Sequence, residues 1–172
     1  MSGRAVVRTL LVVAVALLAQ ATVVLDVRLG GMSPDIMFLL PIAAGVVAGP
    51  VEGAAVGFVA GFAADLLTPT PLGLSALVGT VVGFGVGAIS GSLVREVRGL
   101  PTVVALGASA VAVMLYAVLG AVLGESQFLH VNLPVVVVVV AVPNALLAGP
   151  AVRLMRWALT PPDQRSVAGG IR

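Results

Sequence analysis

From Thr9 to Leu25 the chain carries no ionisable side chain, and apolar runs of similar length recur as far as Arg153. This recurrence constrains the fold more than any other feature, because a helix crossing the hydrocarbon core of a membrane needs about 20 apolar residues, within a range of roughly 17 to 25. Hydrophobic residues make up 60% of the chain and charged residues 9%, against roughly 25% charged in an ordinary soluble domain. Nine basic residues, all arginine, and seven acids among 172 residues cannot clothe a globule in water. The solvent of this fold is lipid.

Six segments qualify as spans: about residues 6–25, 34–49, 51–67, 72–94, 102–124 and 134–153. The second is short and interrupted by Pro41, and the third follows almost without a loop. The expected fold is an all-α membrane protein, a six-transmembrane-helix bundle over residues 1–157 with a disordered tail over 158–172, where Pro161, Pro162, Gly169 and Gly170 gather. Ser33, Pro34 and Asp35 supply an N-cap, a first-turn proline and an acid at the positive end of the second helix. Gly49 and Pro50 separate spans two and three, and Thr68, Pro69, Thr70 and Pro71 form a stiff turn before span four. The run Val135 to Val140 would suggest a buried strand in water. An isolated strand in lipid leaves its amides unpaired, so the run is read as helix.

Arginine placement sets the orientation, since positively charged loops stay cytoplasmic. Arg4 and Arg8 precede span one, Arg95 and Arg98 lie between spans four and five, and Arg153, Arg156, Arg165 and Arg172 follow span six. With six spans these share one side, and only Arg28 falls on the other, with Asp26 and Asp35. Both termini are therefore expected in the cytoplasm. Ala19-Gln20-Ala21 behind Arg4 and Arg8 resembles a secretory cleavage site. The apolar run continues through Leu25, however, and cleavage would leave five spans, so span one is retained.

Cysteine is absent and His130 is the sole histidine, which excludes disulfide frameworks, zinc sites of the usual Cys/His spacing and Cys/His nucleophilic pairs. The arginines are scattered between apolar segments and form no stripe for nucleic acid. No convergent base, nucleophile or metal set is visible, so no enzyme, cofactor or metal is expected.

Helices in lipid gain little from burying apolar surface against one another, so close packing depends on small residues. Gly53, Gly57 and Gly61 recur every four residues in span three, as do Gly79, Gly83, Gly87 and Gly91 in span four; Gly45 and Gly49 repeat the spacing in span two, and Gly120 and Gly124 in span five. Each set makes a smooth ridge, read either as packing within the bundle or as a docking face for another membrane protein. Asp65 lies one turn past Gly61 on the same ridge. It either receives a partner's cation, an amide cluster or a proton, or it marks the interface and bonds the Thr68 to Gly73 turn. Glu52 is about 20 Å away along a helix, too far for a catalytic pair, and lies where Arg95 or Arg98 could meet it. Asn144 follows Pro143, which suggests a kinked helix whose amide bonds a neighbour; Gln20 in span one is read the same way. His130, beside Phe128 and Leu129, reads as interfacial, and Glu125 and Arg28 share its outer face.

Several of these residues form a pattern. Pro34-Asp35, then Gly53-x-x-x-Gly57-Phe58-x-x-Gly61-Phe62-x-x-Asp65-Leu66-Leu67, then Pro71-Leu72-Gly73 resemble the signature of the rod shape-determining protein MreD family. The closing Asn144-Ala145-Leu146-Leu147-x-x-Pro150 with Arg153 and Arg156 is similar to that family's last span. The resemblance implies a multi-pass protein of the bacterial cytoplasmic membrane, S-component-like in architecture, acting as a non-catalytic adaptor of the cell-elongation machinery. It implies an MreC-like bitopic partner and, indirectly, an MreB-like filament and the RodA and penicillin-binding protein synthases. A vitamin-binding transporter subunit is the rival reading, disfavoured by a single Trp, a single Tyr and the missing Ala-x-x-x-Ala pattern in span one. A proton-coupled exporter ranks last, because Asp65 and Glu52 lie near membrane faces and not near the middle.

Overall fold

The structure, a computed structural model, describes residues 3–26, 36–68, 70–90, 99–124 and 132–160. These residues form six helices: α1 (Gly3–Asp26), α2 (Leu39–Ala48), α3 (Pro50–Asp65), α4 (Leu74–Ser90), α5 (Leu100–Val122) and α6 (Leu133–Leu159). The Val135 to Val140 run lies within α6.

Four of the described prolines sit where a missing amide hydrogen is harmless, whereas Pro143 and Pro150 lie inside α6, where each removes an intrahelical bond. Pro50 opens α3, and Pro101 and Pro134 lie in the first turns of α5 and α6. Pro41 falls in the first turn of α2, so it interrupts no intrahelical bond there. Gly49 alone joins α2 to α3, with φ at 98°, a left-handed conformation that glycine enters without steric cost. The chain reverses there so sharply that a Cβ on Gly53 would stand 2.9 Å from the Cα of Gly45.

Three helices are long and apolar enough to cross a membrane: α1 over Gly3–Thr22, α5 and α6. The others are shorter. α3 has 16 residues and α4 has 17, or about 24 to 26 Å of helix. α2 has 10 residues, about 15 Å, half of a hydrocarbon core of roughly 30 Å. The apolar run at 34–49 therefore yields a helix only from Leu39, preceded by a turn through Met37 and Phe38. Ser33, Pro34 and Asp35 lie outside the described residues. At the other extreme α6 continues past Arg153 to Leu159, taking in Ala158 and Leu159, which the sequence reading assigned to the tail. The tail beyond Thr160 is outside the described residues.

The shortest helix is the centre of the bundle. α2 packs against α3, α4, α5 and α6, and every residue from Leu39 to Gly45 is buried. α1 lies outermost, against α6 and α3. Its start meets the end of α6: the Arg8 guanidinium stands 5.1 Å from the Trp157 ring centroid and reaches the Trp157 carbonyl at 3.5 Å. The first and last described helices thus begin and end on the same face of the bundle, along with Arg4, Arg153 and Arg156.

The outward faces of α3 and α4 are apolar too, unlike those of a soluble protein. Inward positions of α3 and α4 carry Gly53, Gly57, Gly61, Gly79, Gly83 and Gly87, while Phe58, Phe62, Leu77, Phe84 and Ile89 point outward. Water would drive the large apolar side chains inward. Lipid does not, and small inward residues then let backbones approach.

Candidate functional site

The two glycine ridges face each other. A Cβ on Gly79 would stand 2.6 Å from the Gly57 carbonyl oxygen, and one on Gly57 would stand 2.8 Å from the Thr80 nitrogen. Gly53 meets Gly83 in the same way, Gly61 meets Ser75, and Gly87 meets Gly49 and Pro50. Each step of four residues down α3 is matched by a step of four up α4, so the helices run antiparallel with backbone on backbone. Gly45 of α2 closes on the same seam, since its Cβ would come within 2.6 Å of the Gly83 carbonyl oxygen. These faces are filled by one another. Gly91 lies outside the described residues.

Asp65, the last residue of α3, is 1% exposed. Its Oδ2 accepts hydrogen bonds from the amides of Gly73 at 2.9 Å and Ala76 at 3.3 Å, and its Oδ1 accepts one from Ser75 at 3.1 Å. These are amides at the start of α4, which would otherwise lack acceptors at a buried helix end. A carboxylate at that position also meets the positive end of the α4 dipole. Gly73, with φ at 93°, turns the chain so that its amide points back at Asp65. The carboxylate of one helix is thus the N-cap of the next. It reaches Gly73 at the end of the Thr68 to Gly73 turn, and also Ser75 and Ala76 beyond it.

The second buried polar cluster joins α5 and α6. Asn144 is fully buried, and its Nδ2 donates to Ser109 Oγ at 3.0 Å, while its Oδ1 has no hydrogen-bond partner among the described residues. Ser109 was not singled out from the sequence, although a hydroxyl within an otherwise apolar span was the available signal. Gln20 Oε1 accepts the Ile36 amide at 2.9 Å, tying α1 to the chain entering α2. The pairing of Arg8 with Trp157 was likewise not foreseen. Arg28, Arg95, Arg98, Glu125, Phe128, Leu129 and His130 lie outside the described residues, so the proposed meeting of Glu52 with Arg95 or Arg98 does too.

Backbone seams between α3 and α4, apolar side chains on the outward faces as well as in the core, and one buried carboxylate used as a helix cap define an all-helical membrane bundle. Residues 3–157 match the family model of the rod shape-determining protein MreD, and the chain belongs to that family. Members are rod shape-determining membrane proteins without enzymatic activity. No curated protein and no solved structure matched the chain.

Proposed function

We propose that the chain is a six-span, S-component-like adaptor of the bacterial cytoplasmic membrane, with both termini in the cytoplasm. It binds an MreC-like bitopic protein through outward helix faces and outer loops. Through that partner it acts on an MreB-like filament and on RodA and penicillin-binding protein synthases, helping to position peptidoglycan synthesis. Family membership already associates the chain with the elongation machinery. The observation that carries the finer reading is the use made of the interior: both Asp65 oxygens are committed to α4 amides and the glycine ridges to each other. What remains for function is the outside. The shared face of Arg4, Arg8, Arg153 and Arg156 supports an inside-positive orientation.

Depletion in the native cell tests this. Rod cells should round up, with new wall inserted diffusely, while bulk synthase activity in isolated membranes is retained. Unchanged shape on depletion would contradict the adaptor reading. Orientation is tested separately by cysteine labelling at Arg95 and Arg153, which should be accessible from the same side.

A further inference from the structure

α4 closes on α3 along the glycine seam, but it does not close on α5. Between α4 and α5 runs an open apolar groove of about 550 Å³. Val82, Val86, Val104 and Ala108 line its depth, and the exposed side chains of Ile89 and Val111 stand at its rims. Gly85 and Gly107 keep it open, since both line it and a Cβ on either would meet nothing within 4 Å. Neither glycine belongs to the α3–α4 seam.

The groove covers residues 81–90 of α4 and 100–111 of α5, or about 14 to 17 Å of helix. That is the depth of one leaflet in a hydrocarbon core roughly 30 Å thick. Its mouth lies where α4 ends and α5 begins. Gly87 packs on Gly49 and Pro50, and Gln20 meets Ile36 at the far end of α2, so this mouth opens on the face where α1 starts. Arg4, Arg8, Arg153 and Arg156 stand on that face against one described acid, Glu52, and basic residues at a membrane surface attract anionic lipid. Spread over its length, the groove has a mean cross-section of about 35 Å². A helix with its side chains is 10–12 Å across and takes roughly 80 Å² or more, so the groove has room for an alkyl chain and none for a helix. Its wall is apolar except at Ser90, the last residue of α4. The Ser90 hydroxyl is buried without a hydrogen-bond partner among the described residues, a costly arrangement that an acceptor at the mouth would relieve.

We propose that the α4–α5 groove is a binding site for one anionic phospholipid of the leaflet on the arginine-bearing side. An acyl chain lies along Val86, Val104 and Ala108, its ester oxygen accepts from the Ser90 hydroxyl, and its head group rests on the basic face. The site goes beyond the adaptor reading, because it requires no protein partner.

The test is photolabelling of the full chain in phosphatidylcholine vesicles with phosphatidylglycerol that carries a diazirine midway along one acyl chain, mapped by mass spectrometry. Labelling at Val86 and Val104 should saturate as the probe fraction rises, whereas labelling at exposed Val103, at the same depth on α5, should rise linearly. Unlabelled phosphatidylglycerol should displace the probe severalfold better than phosphatidylethanolamine. Gly85→Leu and Gly107→Leu, which fill the groove, should each abolish the saturable component and leave Val103 labelling unchanged. Ser90→Ala should raise the half-saturating probe fraction about fivefold, the loss of one neutral hydrogen bond. Melting temperature and monodispersity report whether each variant is folded; if both filled variants unfold, saturation and displacement in the unmodified chain decide. Linear labelling at Val104, no labelling there, as a second copy or a protein helix on the groove would give, equal displacement by the two lipids, or saturation that survives in folded filled variants would each overturn the proposal.

Discussion

The Ser75 amide donates to Asp65 Oδ1 at 3.1 Å, so the last residue of α3 holds the first turn of α4. Two more amides converge on the same carboxylate, and the glycine seam begins immediately beside it, where Gly61 packs on the Ser75 backbone. Cap and seam therefore fix one antiparallel pair from the same corner.

Removal of the cap should cost stability before it touches partner binding. Asp65→Ala strands buried amides and should destabilise the bundle by about 2 kcal/mol or more. Asp65→Asn keeps one acceptor oxygen and should lose less. Thermal unfolding in detergent checks the order; equal stability of Asp65→Ala and the unmodified chain would show that the carboxylate holds nothing in place. A docking role alone would instead leave folding intact.

Glycines of the same two helices should respond in opposite ways. Gly57→Ala places a methyl group against the Gly79 backbone and should cost about 1–3 kcal/mol by overpacking, with Gly57→Leu and Gly61→Leu preventing assembly of the fold. Gly85→Ala meets nothing within 4 Å and should be neutral or slightly stabilising. The readout is the yield of monodisperse protein and its melting temperature.

Much of this was legible in the chain and some was not. Apolar runs and proline-glycine breaks announce where helices lie, because lipid leaves the backbone no alternative. Ridge spacing announces that α3 and α4 each have a smooth face. It cannot announce that the faces meet, since Gly57 opposite Gly79 depends on the three-dimensional register set by the turn at Gly73. Helix length was the least legible quantity: the run from Pro34 to Gly49 is uniformly apolar from Ile36 onward, yet α2 begins only at Leu39. Ser109 escaped notice for a related reason. A lone hydroxyl in an apolar span acquires meaning only when its neighbour across the interface is known.

The bond between Asn144 and Ser109 should be worth about 0.6 kcal/mol and at most about 1.7, the range for hydrogen bonds between helices in membranes. A double-mutant cycle with Ser109→Ala and Asn144→Ala measures it. Zero coupling would mean that the α5–α6 interface rests on shape alone.

Arg8 over the Trp157 ring should contribute about 0.5–1 kcal/mol and should be visible spectroscopically, because Trp157 is the sole tryptophan. Arg8→Ala should alter Trp157 emission, whereas Arg153→Ala, on an exposed position of α6, should not. Identical spectra for both variants would mean that α1 does not clasp α6 at this end.

The adaptor account stands on association. Affinity purification of the full chain from native membranes in mild detergent measures it most directly, with the single-span MreC homologue quantified in the eluate. The homologue should elute with the chain in near-stoichiometric amount. Folded chain recovered alone, from membranes in which the homologue is abundant, would contradict it.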